Sequence, residues 1–299
     1  MKKPNFIIAG FPKCGTTSLH HYLNEHPDIY MPGQKELHFF TFHILSKLNN
    51  GPKDAIVKKT QIDNLEKYLN FYKNVRNEIA IGDASPSYIN HPSQFKKIKD
   101  YLDDPKVIII LRDPINRAYS NYLHLKRENR EKLTFKEAIS IEDERKTNKY
   151  SDFWYYKFNS TYYDKVIKAK ETFSDVLILT SEELSKNRET TLKNIYKFLE
   201  VDENFKLKRN FNNFNKGGYY KENIFTKIIF QPSILKNTIK KLIKPTPFLK
   251  VLLAKIANTF STKSKEIDDE SLKYLKKYFK QEVKKIESLK IDISDWREY

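Results

Sequence analysis

Two stretches of this chain carry side chains suited to holding anions, and a third carries candidate bases. The first is Gly10-Phe11-Pro12-Lys13-Cys14-Gly15-Thr16-Thr17-Ser18, which follows an apolar run and opens a helical pattern. Backbone N–H groups at a helix start lack intrahelical acceptors and attract anions. Gly15 lets the main chain approach a phosphate closely, Thr16, Thr17 and Ser18 add hydroxyl donors, and Lys13 adds a point charge. Gly10 and Gly15 have the spacing of the GxxxxGK[ST] phosphate loop. Thr16 stands where that loop has its lysine, and Lys13 lies two residues before Gly15, which argues against ATP hydrolysis. The bland alternative is a strand–turn–helix with incidental hydroxyls.

The second stretch begins at Arg112, which ends the apolar run Val107–Leu111. Ligands of α/β sheets bind at the carboxyl ends of strands, and a guanidinium grips phosphate with two parallel bonds. A salt bridge to neighbouring Asp113 is the alternative for Arg112, and Ser120, two turns into the next helix, either offers its hydroxyl to the same anion or packs. The third stretch holds Glu36 and His38, which share one side if the segment is extended.

These residues need a scaffold. Four short apolar runs, Phe6–Gly10, Ile79–Gly82, Val107–Leu111 and Val176–Thr180, read as buried parallel strands. Helical patterns lie between them: Thr16–His26, a helix opened by Asp113-Pro114 and running to about Glu131, and Glu189–Leu199. A last one covers about Glu270–Leu289. The alternation predicts an α/β fold, P-loop-like and three-layered, with a central parallel β-sheet flanked by helices. The reading is one domain over 1–299, with 221–265 a basic helical insertion or lid.

With a net charge of +17 the chain calls for an anionic partner. Ten lysines against the single acid Glu222 fall in 221–265, interleaved with Ile, Leu and Phe, so that segment reads as a solvated lid, a face for anionic membrane or a contact for a protein partner. No zinc-ligand spacing or other nucleic-acid module is recognisable, so no nucleic-acid partner is expected. Cys14 is the only cysteine, which excludes an intrachain disulfide and suits a reducing compartment. Phe6–Gly10 is too short for a signal-peptide core, and no apolar stretch is long enough to span a bilayer. A cytoplasmic protein, peripheral at the inner membrane face if 221–265 binds lipid, is expected.

PKCGTTSL, KELHFF (Lys35 to Phe40), GDASPSYI (Gly82 to Ile89), VIIILRDPINRAYSNYLHLKRE (Val107 to Glu128) and LKIDISDW (Leu289 to Trp296) occur in that order. Together they resemble the sulfotransferases that use 3′-phosphoadenosine 5′-phosphosulfate (PAPS), nearest the heparan sulfate N- and 3-O-sulfotransferase branch and its bacterial relatives. The resemblance implies transfer of a sulfuryl group to a hydroxyl or amine of a carbohydrate or glycolipid, with PAP as product; no metal is expected, because lysine and helix N–H groups supply the positive field. It implies that the loop residues Lys13 to Ser18, Cys14 included, hold the 5′-phosphosulfate, and that Arg112 and Ser120 hold the 3′-phosphate. Glu36 becomes the general base, Lys13 neutralises the leaving phosphate, and His38 is the rival base or orients Glu36. Lys35 lowers the pKa of Glu36 or meets an acidic acceptor. Asp83, Ser85 and Tyr88 lie near the acceptor, while Trp154, in the aromatic run Phe153–Tyr156, stacks on a sugar or packs in the core. Lys216, Gly217, Gly218 and Tyr219 resemble a loop covering the nucleotide, with Gly218 where arginine is usual. Ala84 replaces a lysine common in the heparan branch, which disfavours a heparan-like polyanion.

Overall fold

A computed structural model describes residues 2–58, 61–207, 219–220, 261–262 and 266–299. The predicted lid, 221–265, therefore lies outside the described residues apart from the backbone of Ser261–Thr262. Five parallel strands form the central sheet: β1 Phe6–Ile8, β2 Ile29–Tyr30, β3 Ala80–Ala84, β4 Lys106–Leu111 and β5 Val176–Thr180, in the order β2-β3-β1-β4-β5. All four predicted strands are present. β2 escaped notice because its two residues show no period.

Phe6 to Ile8 and Val107 to Leu111 are wholly inaccessible to solvent, so these strands read as unbroken apolar runs because both sheet faces are covered. Helices on the two faces include α1 Thr16–Leu23, α2 Pro114–Arg127, α3 Tyr163–Thr172, α4 Ser181–Lys186, α5 Arg188–Phe198 and α6 Asp269–Glu287. Asp113 caps α2 by accepting from the Asn116 N–H at 2.7 Å, with Pro114 at the first helical position, as its sequence predicts. α1 ends at Leu23 rather than His26, and α2 at Arg127 rather than Glu131. A two-residue strand β6, Tyr219–Tyr220, pairs antiparallel with β7, Ser261–Thr262, and contacts α2.

The connections from β1 run to β2 and β3 on one side, and β3 then crosses to β4 on the other. Such a reversal opens a crevice at the carboxyl edge of the sheet. The loop after β1, the segment after β2, the Ser85–Ser87 turn after β3, Arg112 after β4 and Ser181 after β5 all start from that edge. Among the described residues no helix is long and apolar enough to cross a membrane.

Candidate active site

A cleft of about 600 Å³ opens at this edge. Lys13, Gly15, Thr16, Thr17 and Ser18 line it from the first loop, and Arg112 and Ser120 from β4 and α2. Lys35, Glu36 and His38 line it from the segment after β2. Residues more than a hundred positions apart in sequence thus meet in one cavity.

The two glycines of the loop have different jobs. A Cβ on Gly10 would stand 2.4 Å from the Ile110 backbone nitrogen, so Gly10 serves close packing of β1 on β4. Gly15 has φ +97°, and this left-handed turn swings the chain into α1 so that the helix begins facing the cleft. Cys14 does not face the cleft. Its thiol is fully buried, which pushes its pKa up to about 12, and its N–H donates to the Phe11 carbonyl at 3.3 Å. Cys14 is thus absent from the cleft wall, unlike Lys13 and Gly15 on either side of it.

The loop is braced from beneath by Arg117, itself fully buried. Its guanidinium donates to Ser160 Oγ at 2.6 Å, Asn121 Oδ1 at 2.9 Å and the Tyr156 carbonyl at 2.8 Å, with a longer 3.4 Å contact to the Pro12 carbonyl. Arg112 Nη1 donates to the Lys13 carbonyl at 3.0 Å, which joins the two anion-suited stretches directly. Asp113 is not the partner of Arg112; its carboxylate pairs with Arg297 at 3.1 Å. Burial first, then Arg127 and Arg112, lower the Lys13 pKa to about 8. Crowding of cations disfavours their charged forms, is offset in part by Glu36 and Glu128, and would be relieved by an anion lying among them.

The Lys35–His38 segment is not extended. Glu36 has φ 64° and His38 φ 55°, so the alternation argument for their shared side fails, and a kinked backbone brings both to the cleft instead. Lys13, at φ 72°, is left-handed too. Non-glycine residues held there store strain, which recurs at functional sites as well as in ordinary turns. Glu36 N–H donates to the Ala84 carbonyl at 3.0 Å and His38 N–H to Ser85 Oγ at 3.1 Å, tying the segment to the end of β3.

Lys35 spends its ammonium on three neighbours: Thr16 Oγ1 at 2.9 Å, Thr17 Oγ1 at 3.1 Å and Glu36 Oε1 at 3.0 Å. It links the phosphate-suited loop to the candidate base. Desolvation alone would raise the Glu36 pKa, but Lys35, His38 and the Lys35 hydrogen bond outweigh it and hold the carboxyl below its ordinary value. Burial lowers the His38 pKa against the charge of Glu36, and its Nδ1 is engaged with Ser87 Oγ at 2.6 Å.

Four predicted acceptor residues lie beneath the cleft rather than in it. Asp83 is fully buried and accepts from Tyr88 Oη at 2.7 Å, Tyr68 Oη at 3.0 Å and Ser85 Oγ at 2.7 Å. Asp83, Ser85 and Tyr88 thus support the His38 backbone; Pro86 and Ser87 are the loop residues that reach the cavity. Trp154 is buried with its indole N–H on Asp54 Oδ1 at 3.0 Å, and it is the neighbouring Phe153 that lines the cleft. Lys216, Gly217 and Gly218 lie outside the described residues, and Tyr219 opens β6 beside the helix that carries Ser120.

His124, Arg127 and Glu128 also line the cavity. Their signal was present in the sequence: with Ser120 they form a stripe at spacings of four, three and one along the helical pattern, which puts them on one face. Arg127 Nη2 meets His124 Nδ1 at 2.8 Å, and His124 Nε2 lies 3.4 Å from Glu128. Desolvation opposes ionisation of Glu128, but His124 and Arg130 prevail and bring its pKa to about 2.

Residues 4–205 match the Sulfotransferase family. A crystal structure of a sulfotransferase from Alicyclobacillus acidocaldarius is similar at a TM-score of 0.77 and 28% identity, over 99% of this chain and 100% of that one. The membrane-associated sulfotransferase kil1 of Dictyostelium discoideum is 36% identical over 119 residues, 40% of this chain and 22% of that protein. Carbohydrate sulfotransferase 15 of Mus musculus is 28% identical over 168 residues, 46% of this chain and 30% of that protein. The chain thus spans less than a third of the length of these two curated relatives. With most of its residues matched and its parallel sheet shared with a solved member, this chain belongs to the Sulfotransferase family.

Proposed function

We propose that this chain transfers a sulfuryl group from PAPS to a hydroxyl or amine of a carbohydrate, with Glu36 as general base. The observation that carries the reading is that Lys13 and Arg112, in contact through a 3.0 Å hydrogen bond, share one cleft with a carboxylate. PAPS supplies a sulfuryl group on its 5′-phosphate, and the bond between sulfur and the bridging phosphate oxygen is the one that breaks. Thr17, Ser18 and the start of α1 hold the 5′ end, and Lys13 neutralises charge building on the departing phosphate. Arg112 and Ser120 hold the 3′-phosphate, and Lys216, Gly217, Gly218 and Tyr219 cover the nucleotide. Glu36 takes the acceptor proton as the acceptor oxygen or nitrogen bonds to sulfur, opposite the departing phosphate. Lys35 keeps Glu36 ionised. With its Nδ1 on Ser87, His38 suits an orienting role.

The name of the mouse relative, a carbohydrate sulfotransferase, supports a sugar acceptor. The cleft wall mixes Arg127 and Lys58 with Glu128 and Asp152, which suits a polar sugar of modest charge, in line with Ala84. The name of the Dictyostelium relative, a membrane-associated sulfotransferase, supports contact with a membrane, for which 221–265 is the candidate face.

Incubation with radiolabelled PAPS and a panel of glycans, glycolipids and small alcohols tests the reaction. Label is expected on a glycan or glycolipid; label on none of them, with no PAP uptake by calorimetry, overturns the reading. Glu36→Gln is expected to lower turnover by about a hundredfold or more while leaving PAP affinity nearly intact. Near-normal turnover would remove Glu36 from the mechanism.

A further inference from the structure

Behind Arg112 stands the segment Trp296–Tyr299. Asp113, next to Arg112 and fully buried, has its carboxylate surrounded by donors. Arg297 Nε donates to Oδ1 at 3.2 Å and to Oδ2 at 3.1 Å, Arg297 N–H to Oδ2 at 3.2 Å, and Tyr299 Oη to Oδ2 at 3.1 Å, besides the Asn116 cap bond. Arg297 Nη2 also bonds Asn116 Oδ1. One residue earlier, Trp296 donates to Glu182 Oε2 at 3.3 Å, and Glu182 Oε1 accepts from the Asp113 N–H at 3.3 Å. The Trp296 ring packs 6.3 Å from Tyr162, whose hydroxyl donates to the Arg112 carbonyl at 2.9 Å. Tyr162 in turn lies 4.5 Å from Phe11 of the first loop.

The backbone of Arg112 and Asp113 is therefore held on both sides by groups that all lead back to this segment. The charge balance matters as much. An unpaired buried carboxylate beside Arg112 would repel any anion Arg112 is meant to hold, and would draw the guanidinium toward itself. Arg297 supplies the compensating charge.

We infer that Trp296–Tyr299 is a strut for the second anion site, with Arg297 a positioning residue that pins and neutralises Asp113 so that Arg112 presents its guanidinium to the 3′-phosphate. This rests on the assignment of Arg112 to that phosphate. The readout that a general structural role would not move is the preference for PAP over adenosine 5′-phosphate, which lacks the 3′-phosphate.

Calorimetry on the full chain measures both affinities. Arg297→Met is expected to cut the preference about tenfold, mainly through weaker PAP binding, with adenosine 5′-phosphate affinity little changed. Arg297→Lys restores part of it, and adding Asp113→Asn to Arg297→Met restores more, since the cap survives and the repelling charge is gone. Tyr299→Phe removes one donor without changing charge and should cut the preference about threefold; it keeps the test open if Arg297→Met does not fold. A wild type that prefers PAP together with folded variants that prefer it equally overturns the strut. A wild type with no preference overturns the 3′-phosphate assignment itself, and the strut with it, so the two failures are told apart.

Discussion

Lys13 shows how a single residue can report the chemistry around it. Burial and the charges of Arg127 and Arg112 bring its pKa to about 8, so the free ammonium begins to lose its proton just above neutral pH. An anion beside it favours the charged form and raises that pKa. The sign follows: PAP affinity falls as pH rises through about 8, and binding at or above that pH takes up protons. Calorimetry at pH 8 in buffers of differing ionisation enthalpy should detect the uptake. Its absence, or an affinity independent of pH from 7 to 9, would mean that Lys13 does not touch the nucleotide. Glu36 and Lys35 work in the opposite sense: the ammonium shared with Thr16 and Thr17 keeps the carboxylate basic form populated into acid.

At the scale of elements, the turn from β1 into α1 separates packing from binding within six residues. Gly10→Ala drives a methyl into the Ile110 backbone at 2.4 Å, a clash with no flexible side chain to yield, and is expected to cost about 3 kcal/mol of stability. At Gly15 the nearest atom to an added Cβ is Ser181 Oγ at 3.6 Å, so Gly15→Ala meets only the left-handed backbone penalty of about 1 kcal/mol. Because that penalty is relieved by turning the loop, PAP affinity should fall more than stability does. Thermal unfolding and calorimetry on the two variants check the contrast; an equal stability loss in both would show that Gly15 serves packing as Gly10 does. α2 makes a similar division around its circumference. Ile115, Ala118 and Leu125 face the core, while Ser120, His124 and Arg127 face the cleft.

For the whole molecule, charge is unevenly spread along the chain. The segment 221–265, with ten lysines and one glutamate, supplies nine of the seventeen net positive charges, and few of these are needed to bind one nucleotide. Interleaved with Ile, Leu and Phe, they suit an anionic lipid surface. Vesicles containing phosphatidylserine should bind the wild type in a salt-sensitive way, and replacing those lysines by serine should abolish binding with PAP affinity preserved. Equal vesicle binding by both proteins would place the lipid contact elsewhere.

The sequence by itself determined the parallel α/β class, four of the five sheet strands, the capped start of α2 and the loop from which Lys13 and Gly15 to Ser18 line the cleft, because these are written in local periodicity, capping chemistry and contiguous spacing. It could not locate β2, a two-residue strand recruited only by its pairing with β3. Nor could it tell that Asp83, Tyr88 and Trp154 face inward, since a polar or aromatic side chain turns to whichever surface its hydrogen-bond partners occupy, and those partners come from distant positions such as Tyr68 and Asp54. The kinked backbone of Glu36 and His38, the Lys35 bridge and the clasp of Arg297 on Asp113 were decided by tertiary structure alone. Each depends on groups brought together by the crossing of the sheet, and no local pattern encodes a contact whose two halves lie far apart along the chain.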